Sequence, residues 1–176
     1  MSLSEKWINI IYRTATGSRK FRTLTTPVGA IIFISFVSSL IFLSFLLDKF
    51  FKFTFMLSHP INIYIGVPIL SIGILLDLIC IYFFIKVKGS PVPLNPPPVL
   101  VNKGPYAYVR NPMLTGLFAQ LFGFGIACNS ISLTFIITPV FIFLNYFELK
   151  KIEEPELEKR LGKEYIEYKK RVRRLI

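Results

Sequence analysis

The segment from Gly104 to Met113 combines residue types that can bind an anionic, nucleotide-like ligand. Asn111 followed by Pro112 is a typical helix start, because asparagine can cap free amides and proline at the first helical position loses no hydrogen bond. A helix N-terminus of this kind, with Arg110 beside it, attracts a carboxylate or a phosphate. Tyr106 and Tyr108 add aromatic faces that can stack on a purine or meet a cation. The same residues also fit a simpler structure, a capped transmembrane helix without a ligand.

Three acidic residues are the other candidates for chemistry. Glu153 and Glu154 follow the last apolar segment by a few residues. Such a pair commonly forms a solvated turn, but if the last two helices form a hairpin, both acids return to the membrane face of residues 104–113. Asp77 lies inside an apolar segment, where burial of an ionisable group is costly. It can pair with Arg110 or hold an amine acceptor.

The composition around these residues is that of a membrane protein. Hydrophobic residues make up 53% of the 176 residues, and the mean hydropathy is +0.57, which exceeds that of an ordinary soluble domain. Residues 24–47 contain no charged side chain and are long enough for a helix to cross about 30 Å of hydrocarbon. Residues 61–85 form a second such segment, interrupted only by Asp77.

A third uncharged segment, residues 111–147, is too long for one helix. The turn-forming residues Cys128, Asn129 and Ser130 divide it into predicted helices 113–127 and 131–147. The sequence therefore predicts an all-α, polytopic membrane protein with about four transmembrane helices. The last two form a helical hairpin whose arms are slightly short for a full span, which a tilt or local thinning of the bilayer can accommodate.

The pattern predicts a single membrane domain, residues 1–176, with five segments. They are an interfacial N-terminal helix (1–23), the first two spans (24–85), a proline-rich loop (86–112), the hairpin (113–147) and an amphipathic C-terminal helix (148–176). Five prolines, at positions 91, 93, 96, 97 and 98, favour an extended loop, which suits either the wall of a pocket or a stiff linker. The C-terminal helix is expected to bend near Pro155 or Gly162.

Basic residues indicate which segments share one side of the membrane. Lys and Arg occur five times before residue 24, four times in residues 86–110 and ten times after residue 147, but only twice between the first two spans. With four crossings, the positive-inside rule puts both termini, the loop and the candidate site in the cytoplasm. The basic residues that give the net charge of +11 then face anionic lipid headgroups, and no nucleic-acid partner is expected. Cys80, Cys128 and His59 are isolated, so neither a metal site nor a disulfide is predicted.

Four motifs occur in a fixed order within residues 86–176: the 104–113 segment, Thr115-Gly116, the Glu-Glu-Pro-Glu-Leu of 153–157, and residues 161–172. In this order they resemble the membrane methyltransferases related to isoprenylcysteine carboxyl methyltransferase and phospholipid N-methyltransferase. The resemblance implies an S-adenosylmethionine-dependent enzyme that binds its cofactor at the cytoplasmic end. Its acceptor would be lipophilic, such as an isoprenylcysteine carboxylate, a lipid amine or a thiol.

The resemblance also implies which residues line the cofactor pocket: Pro98, Val99, Leu100, Val101, Tyr106, Asn111, Pro112, Met113, Leu114 and Glu153. Gly104, Arg110 and Glu154 complete the predicted cofactor-binding set. Arg110 and the helix start suit the methionine carboxylate, and Glu153 suits a ribose hydroxyl or the cationic part of the cofactor. Tyr106 and residues 98–101 suit adenosine. No catalytic residue is implied, and Arg110 and Asp77 remain the candidates for that role.

Three positions depart from the family pattern. Asn111 stands where a histidine is usual, Leu114 where a tyrosine is usual, and Leu149 where the isoprenylcysteine enzymes carry an arginine associated with the substrate. Two other classes therefore stay open. One is the membrane sterol and enone reductases, which share a related helical scaffold but bind NADPH; the Glu-Glu-Pro-Glu-Leu motif favours methyl transfer over this class. The other is a non-catalytic membrane protein on the same scaffold, which the three departures support.

Overall fold

The structure is a computed structural model that describes residues 3–53, 57–92 and 95–175, without the side chains of Leu3 and Arg19. Pro93 of the proline-rich loop and the outermost residues of both terminal segments lie outside the described residues. Within those ranges the helices are α1 (Leu3–Ala15), α2 (Arg19–Phe51), α3 (Ile61–Lys86), α4 (Pro112–Ala127), α5 (Thr138–Glu148), α6 (Glu154–Leu161) and α7 (Lys163–Arg171). No β-strand occurs in the described ranges, which confirms the predicted all-α fold.

Three helical segments are long and apolar enough to cross a membrane. They are α2, α3 and the continuous helix Leu133–Leu161, which contains α5 and α6. The fourth apolar helix, α4, has 16 residues and is only about 24 Å long. The prediction of a helical membrane protein is confirmed. Of the two hairpin arms predicted to be slightly short, the first is short, and the second belongs to a helix of full length.

The second arm of the predicted hairpin does not end at residue 147. Two π-helical turns, Leu133–Ile137 and Leu149–Glu153, join its segments into one helix that continues to Leu161. Hydropathy falls sharply at residue 148, but Glu, Leu and Lys are good helix formers, so the helix continues where the apolar segment stops.

The ends of the other predicted segments agree more closely. The N-terminal helix ends at Ala15 rather than near residue 23, and the first predicted span, 24–47, lies within α2. The C-terminal helix breaks at Gly162, one of the two predicted positions, where a φ of +61° favours glycine. The helix continues through Pro155, because proline in the first turn of α6 breaks no essential hydrogen bond.

The chain forms two compact units, which are described separately. We call residues 34–78 and 112–144 the hairpin unit, and residues 1–33, 79–111 and 145–176 the loop unit.

The hairpin unit contains a close contact between α3 and α4 at two pairs of glycines. A Cβ atom built on Gly73 would lie 2.5 Å from the carbonyl oxygen of Gly116, and one built on Gly66 would lie 2.6 Å from that of Gly123. In apolar lipid the hydrophobic effect does not drive helices together. Close packing at small residues and interhelical hydrogen bonds must therefore stabilise the contact between α3 and α4.

The turn of the hairpin is fixed by polar contacts of Asp48, near the end of α2. One carboxylate oxygen accepts the Ser132 N–H at 2.8 Å, and the other accepts the Ser130 hydroxyl. Asp48 thus caps the helix that follows the turn, although Asp48 itself belongs to α2. The Asn129 side chain bonds both backbone groups of Leu57. The hairpin turn predicted at residues 128–130 is confirmed.

We expect Gly123→Ala to lower the free energy of unfolding by about 1–3 kcal/mol, because the new methyl group would overlap the Leu70 backbone nitrogen. Thermal unfolding in detergent measures the change. Ser71→Ala is the control, since Ser71 is exposed on α3 and bonds only within its own helix, to the Val67 carbonyl. Equal melting temperatures for the two variants would show that the glycine contact does not stabilise the unit.

Candidate cofactor site

A single buried carboxylate organises the polar residues of the loop unit. Glu154 is 1% exposed, and three cations surround it. Arg110 Nη1 lies 2.9 Å from one carboxylate oxygen and Lys169 Nζ lies 3.1 Å from the other. Arg174 donates through both Nε and Nη2. Glu154 therefore joins the loop before α4, helix α6, helix α7 and the C-terminal segment.

The π turn Leu149–Glu153 places this carboxylate. A π turn holds one residue more than an α-helical turn and so shifts the direction in which the following side chains point. Leu149 and Glu154 are both buried. The side chain of Glu153, one residue before Glu154, points about 100° away from that of Glu154 around the helix axis and is half-buried. The alternative of a solvated acidic turn is therefore wrong for Glu154.

Three cations share two acids in the ion pairs around Glu154. Lys169 is shared with Glu158, at 2.7 Å, and this hydrogen bond raises the pKa of Lys169 above its ordinary value. Neither Arg110 nor Arg174 has an ion pair with any other acid in the described part of the chain. The Arg110 Nε–H is buried and donates no hydrogen bond within that part. Such a cluster can attract a second anion in addition to Glu154.

The C-terminal segment lies against the loop that carries Arg110. Val109 and Arg173 form a parallel β-bridge, and the Arg110 N–H donates to the Arg173 carbonyl at 2.7 Å. The Asn111 side-chain amide donates to the Arg174 carbonyl at 3.2 Å. Arg174 was not identified from the sequence, because nothing in its spacing separates it from the other basic residues near the C-terminus.

Gly104 opens the 3₁₀ turn Gly104–Ala107, which positions Tyr106. Gly104 has a φ of +61°, and a Cβ atom at this position would overlap the ring of Phe83. The Tyr106 ring lies 5.4 Å from the Phe84 ring, centroid to centroid, and the Tyr106 carbonyl accepts the Tyr168 hydroxyl at 2.6 Å. Burial raises the pKa of Tyr168 to about 12, so this donor stays protonated.

The Tyr106 hydroxyl is buried and makes no hydrogen bond of normal geometry to the described residues. Burial raises the pKa of Tyr106 far above its ordinary value, and the neighbouring Cys80, Tyr168 and Glu153 raise it further. Glu153 itself forms no hydrogen bond or ion pair within the described ranges, although it also acts electrostatically on Tyr165. Tyr106 and Glu153 thus lie near each other in the loop unit.

The proline-rich loop is held by helix α6. Arg160 donates to the Pro97 carbonyl at 2.8 Å and to Glu156 at 2.8 Å. In the segment that follows, Val101 is buried and Leu100 is half-buried, while Pro98 and Val99 are exposed. The extended segment therefore has a fixed inner side and an open outer side.

The remaining candidate residues belong to the hairpin unit. Pro112 begins α4, as predicted; it is buried, and Met113 and Leu114 are half-buried in the same turn. Asp77 accepts a hydrogen bond from Gln120 at 2.7 Å. Gln120 was not identified from the sequence, because a single glutamine in an apolar helix has no spacing signal. Among the described residues no group of three or more His, Cys, Asp and Glu side chains is placed to hold a metal.

The long apolar helices and the polar loop unit define a helical membrane protein with a candidate ligand site beside the 104–113 segment. The family model described as phospholipid methyltransferase matches residues 61–164, more than half of the chain. The protein belongs to this family and is a membrane methyltransferase. The resemblance found in the sequence is thereby confirmed, and the match extends it to include α3 with Asp77. No curated protein and no solved structure matches significantly.

We expect Glu154→Gln to lower the free energy of unfolding by about 3 kcal/mol or more, because Arg110 and Arg174 would then be partly buried without a carboxylate. Glu158→Gln is the matched control on the same helix; its pair with Lys169 is half-exposed and should contribute less than about 1 kcal/mol. Chemical denaturation in detergent compares the two. A similar loss in both variants would rule out a special role for Glu154.

Gly104→Ala should be more destabilising than Gly162→Ala. Both glycines have a φ of +61°, so each alanine costs about 1–2 kcal/mol from the backbone alone. Only at Gly104 does the new methyl group also meet a side chain, the Phe83 ring, while nothing lies within 4 Å at Gly162. Melting temperatures measure the difference, and identical values would show that the loop adapts freely to the Phe83 overlap.

Proposed function

We propose that the protein transfers a methyl group from S-adenosylmethionine to a lipophilic acceptor in the membrane. Family membership supports the methyl-transfer chemistry. The observation that supports this cofactor is a set of three polar groups in the loop unit that make no hydrogen bond of normal geometry to the described residues: the Tyr106 hydroxyl, which lies beside Cys80, the Arg110 Nε–H and the Glu153 carboxylate. Buried polar groups normally find hydrogen-bond partners, so such a set favours a ligand that supplies them.

The donors and acceptors of this set fit the polar groups of S-adenosylmethionine. Arg110 can donate to the methionine carboxylate, which the positive cluster around Glu154 also attracts. Glu153 can accept from a ribose hydroxyl or face the cationic part of the cofactor. The Tyr106 hydroxyl can bond a further polar atom, and the outer side of residues 98–101 is open to the adenosine.

When bound, the cofactor supplies an activated methyl group together with its leaving group. The task of the protein is then to orient the acceptor, hold the cofactor and exclude water. A carboxylate or thiolate acceptor needs no catalytic acid, whereas an ammonium must first lose a proton. This agrees with a site whose candidate residues include no histidine.

The acceptor would reach the enzyme laterally from the bilayer, and the cofactor would arrive from the cytoplasm. The distribution of Lys and Arg supports this orientation, because the basic segments carry both termini, the proline-rich loop and the 104–113 segment. A reductase that uses NADPH is the alternative on a related scaffold, and the family match supports methyl transfer over it.

Isothermal titration of the purified protein with S-adenosylhomocysteine and, separately, with NADPH tests the cofactor. We expect binding of the first and none of the second. Tyr106→Phe should weaken S-adenosylhomocysteine binding by about tenfold, the usual effect of losing one hydrogen bond. It should leave the melting temperature equal or higher, since the variant removes a buried hydroxyl that makes no hydrogen bond of normal geometry to the described residues.

Tyr108→Phe is the matched control, because Tyr108 is two residues away and 80% exposed. It should change neither affinity nor stability. Glu153→Gln should weaken binding of the same ligand, with Glu164→Gln, on an exposed position of α7, as its control. Binding of NADPH alone would support the reductase, and binding of neither ligand would leave the proposal without support and favour a non-catalytic protein.

A further inference from the structure

Arg160, on α6, joins this helix to the proline-rich loop. Its Nη1 donates to the Pro97 carbonyl at 2.8 Å, and its Nε donates to Glu156 at 2.8 Å. The side chain of Arg160 is 9% exposed and that of Glu156 is 3% exposed. Because burying two charges costs desolvation energy, such a pair is weak evidence for a role in stability alone.

Both hydrogen bonds of Arg160 come from one planar group. The angle between the Nε and Nη1 donors is fixed, so the Glu156 carboxylate determines the direction in which Nη1 points. A lysine would carry the same charge, but its single ammonium on a flexible stem could not fix both partners in this way. The contact with Pro97 therefore depends on the geometry of the guanidinium as well as on its charge.

Pro97 is held by a second contact, with Gly89. Gly89 follows the end of α3, and its N–H donates to the Phe84 carbonyl at 3.0 Å. A Cβ atom built on Gly89 would overlap Pro97 Cα, so the two backbones touch and a larger residue would displace Pro97. Two independent contacts, one from α6 and one from the turn after α3, thus fix the backbone at Pro97.

Pro97 lies directly before the extended segment 98–101. At the far end of this segment Val101 is 8% exposed, whereas Pro98 and Val99 are exposed. The ring of Pro98 fixes φ, which leaves the backbone little freedom between the bonded Pro97 carbonyl and the exposed residues. A displacement of Pro97 would therefore move the exposed surface of the segment and would not be absorbed before it.

We propose that Arg160 is a positioning residue of the cofactor site, which holds the Pro97 carbonyl and thereby keeps segment 98–101 in place for the adenosine. This inference rests on the proposed function, which assigns the adenosine to the outer side of that segment. A segment that is already in place does not have to be ordered when the ligand binds, and this raises the affinity. The gain concerns the adenosine and not the amino-acid part of the cofactor.

The alternative is that Arg160 only stabilises the loop unit. Lys159 provides the matched control, because it is adjacent on α6 and also bonds another element: its Nζ donates to Asn9 of α1 at 2.8 Å. Arg160→Lys keeps the charge, so its attraction for the cofactor carboxylate is unchanged. Gly89→Ala displaces Pro97 through its other contact with Arg160 intact, and it keeps the inference testable if Arg160→Lys does not fold.

The experiment titrates the full chain in detergent with S-adenosylhomocysteine and with 5′-methylthioadenosine, which has the same adenosine but lacks the amino-acid part. Arg160→Lys and Gly89→Ala should weaken both ligands by the same factor, about tenfold, because only the adenosine contact is disturbed. A general loss of structure would also disturb Arg110 and would therefore weaken S-adenosylhomocysteine more than 5′-methylthioadenosine. Lys159→Gln should leave both affinities unchanged.

Electron paramagnetic resonance tests the same inference without a ligand. Nitroxide labels on Val99→Cys and Lys163→Cys, two exposed positions of the loop unit, report the distance between segment 98–101 and α7; the exposed Cys128 is replaced by serine. The distance distribution should be wider in Arg160→Lys than in the unchanged protein, because one of the two contacts that fix Pro97 is lost. It should not change in Lys159→Gln.

Unchanged affinities in Arg160→Lys would overturn the inference, and so would a larger loss for S-adenosylhomocysteine than for 5′-methylthioadenosine. An equal loss in Lys159→Gln would also overturn it, because the effect would then come from α6 as a whole. If the unchanged protein binds neither ligand, the result counts against the proposed function. The distance distributions still decide in that case whether Arg160 holds the loop, and equal distributions in Arg160→Lys and the unchanged protein would show that it does not.

Discussion

The loop unit depends on the burial of one carboxylate, Glu154, among three cations. A buried charge is tolerated only when it is paired and hydrogen-bonded, so Arg110, Lys169 and Arg174 have to converge on it. These cations come from the loop before α4, from α7 and from the C-terminal segment, and the single interaction thereby determines where all three lie. If Arg110 also holds the cofactor carboxylate, the same charges serve both stability and binding, and Glu154 keeps them in place before the ligand arrives.

The hairpin unit is held together by different forces, because its helices are surrounded by apolar lipid. Glycines bring α3 and α4 close together, and polar contacts then fix their positions along each other. Asn62 donates to the Ala127 carbonyl near the hairpin turn, and Gln120 donates to Asp77 further along the same two helices. Asp48, from α2, bonds the turn itself through both of its carboxylate oxygens. The Asn62 and Asp77 contacts each leave one buried oxygen without a hydrogen-bond partner in the described part of the chain.

The sequence predicted those features that arise from composition and local chemistry. Apolar length located the membrane helices, Pro112 marked the start of α4, and Gly162 marked a helix break. It did not predict that the helix continues beyond residue 147, because hydropathy reports the environment and not the backbone conformation. The different burial of Glu153 and Glu154 depends on the direction set by a π turn, which has no recognised sequence signal. Arg174 and Gln120 could be identified only from their contacts in the structure, with Glu154 and Asp77.

One departure from the isoprenylcysteine enzymes bears on acceptor chemistry. The arginine associated with the substrate in those enzymes is Leu149 here. Leu149 is fully buried, so a cation at this position would be neither hydrated nor given space for its longer side chain. Without that cation, a carboxylate acceptor would lose its expected partner at this position. The departure therefore disfavours the isoprenylcysteine carboxylate within the proposed set of lipophilic acceptors, whereas it has no bearing on the transfer of the methyl group itself.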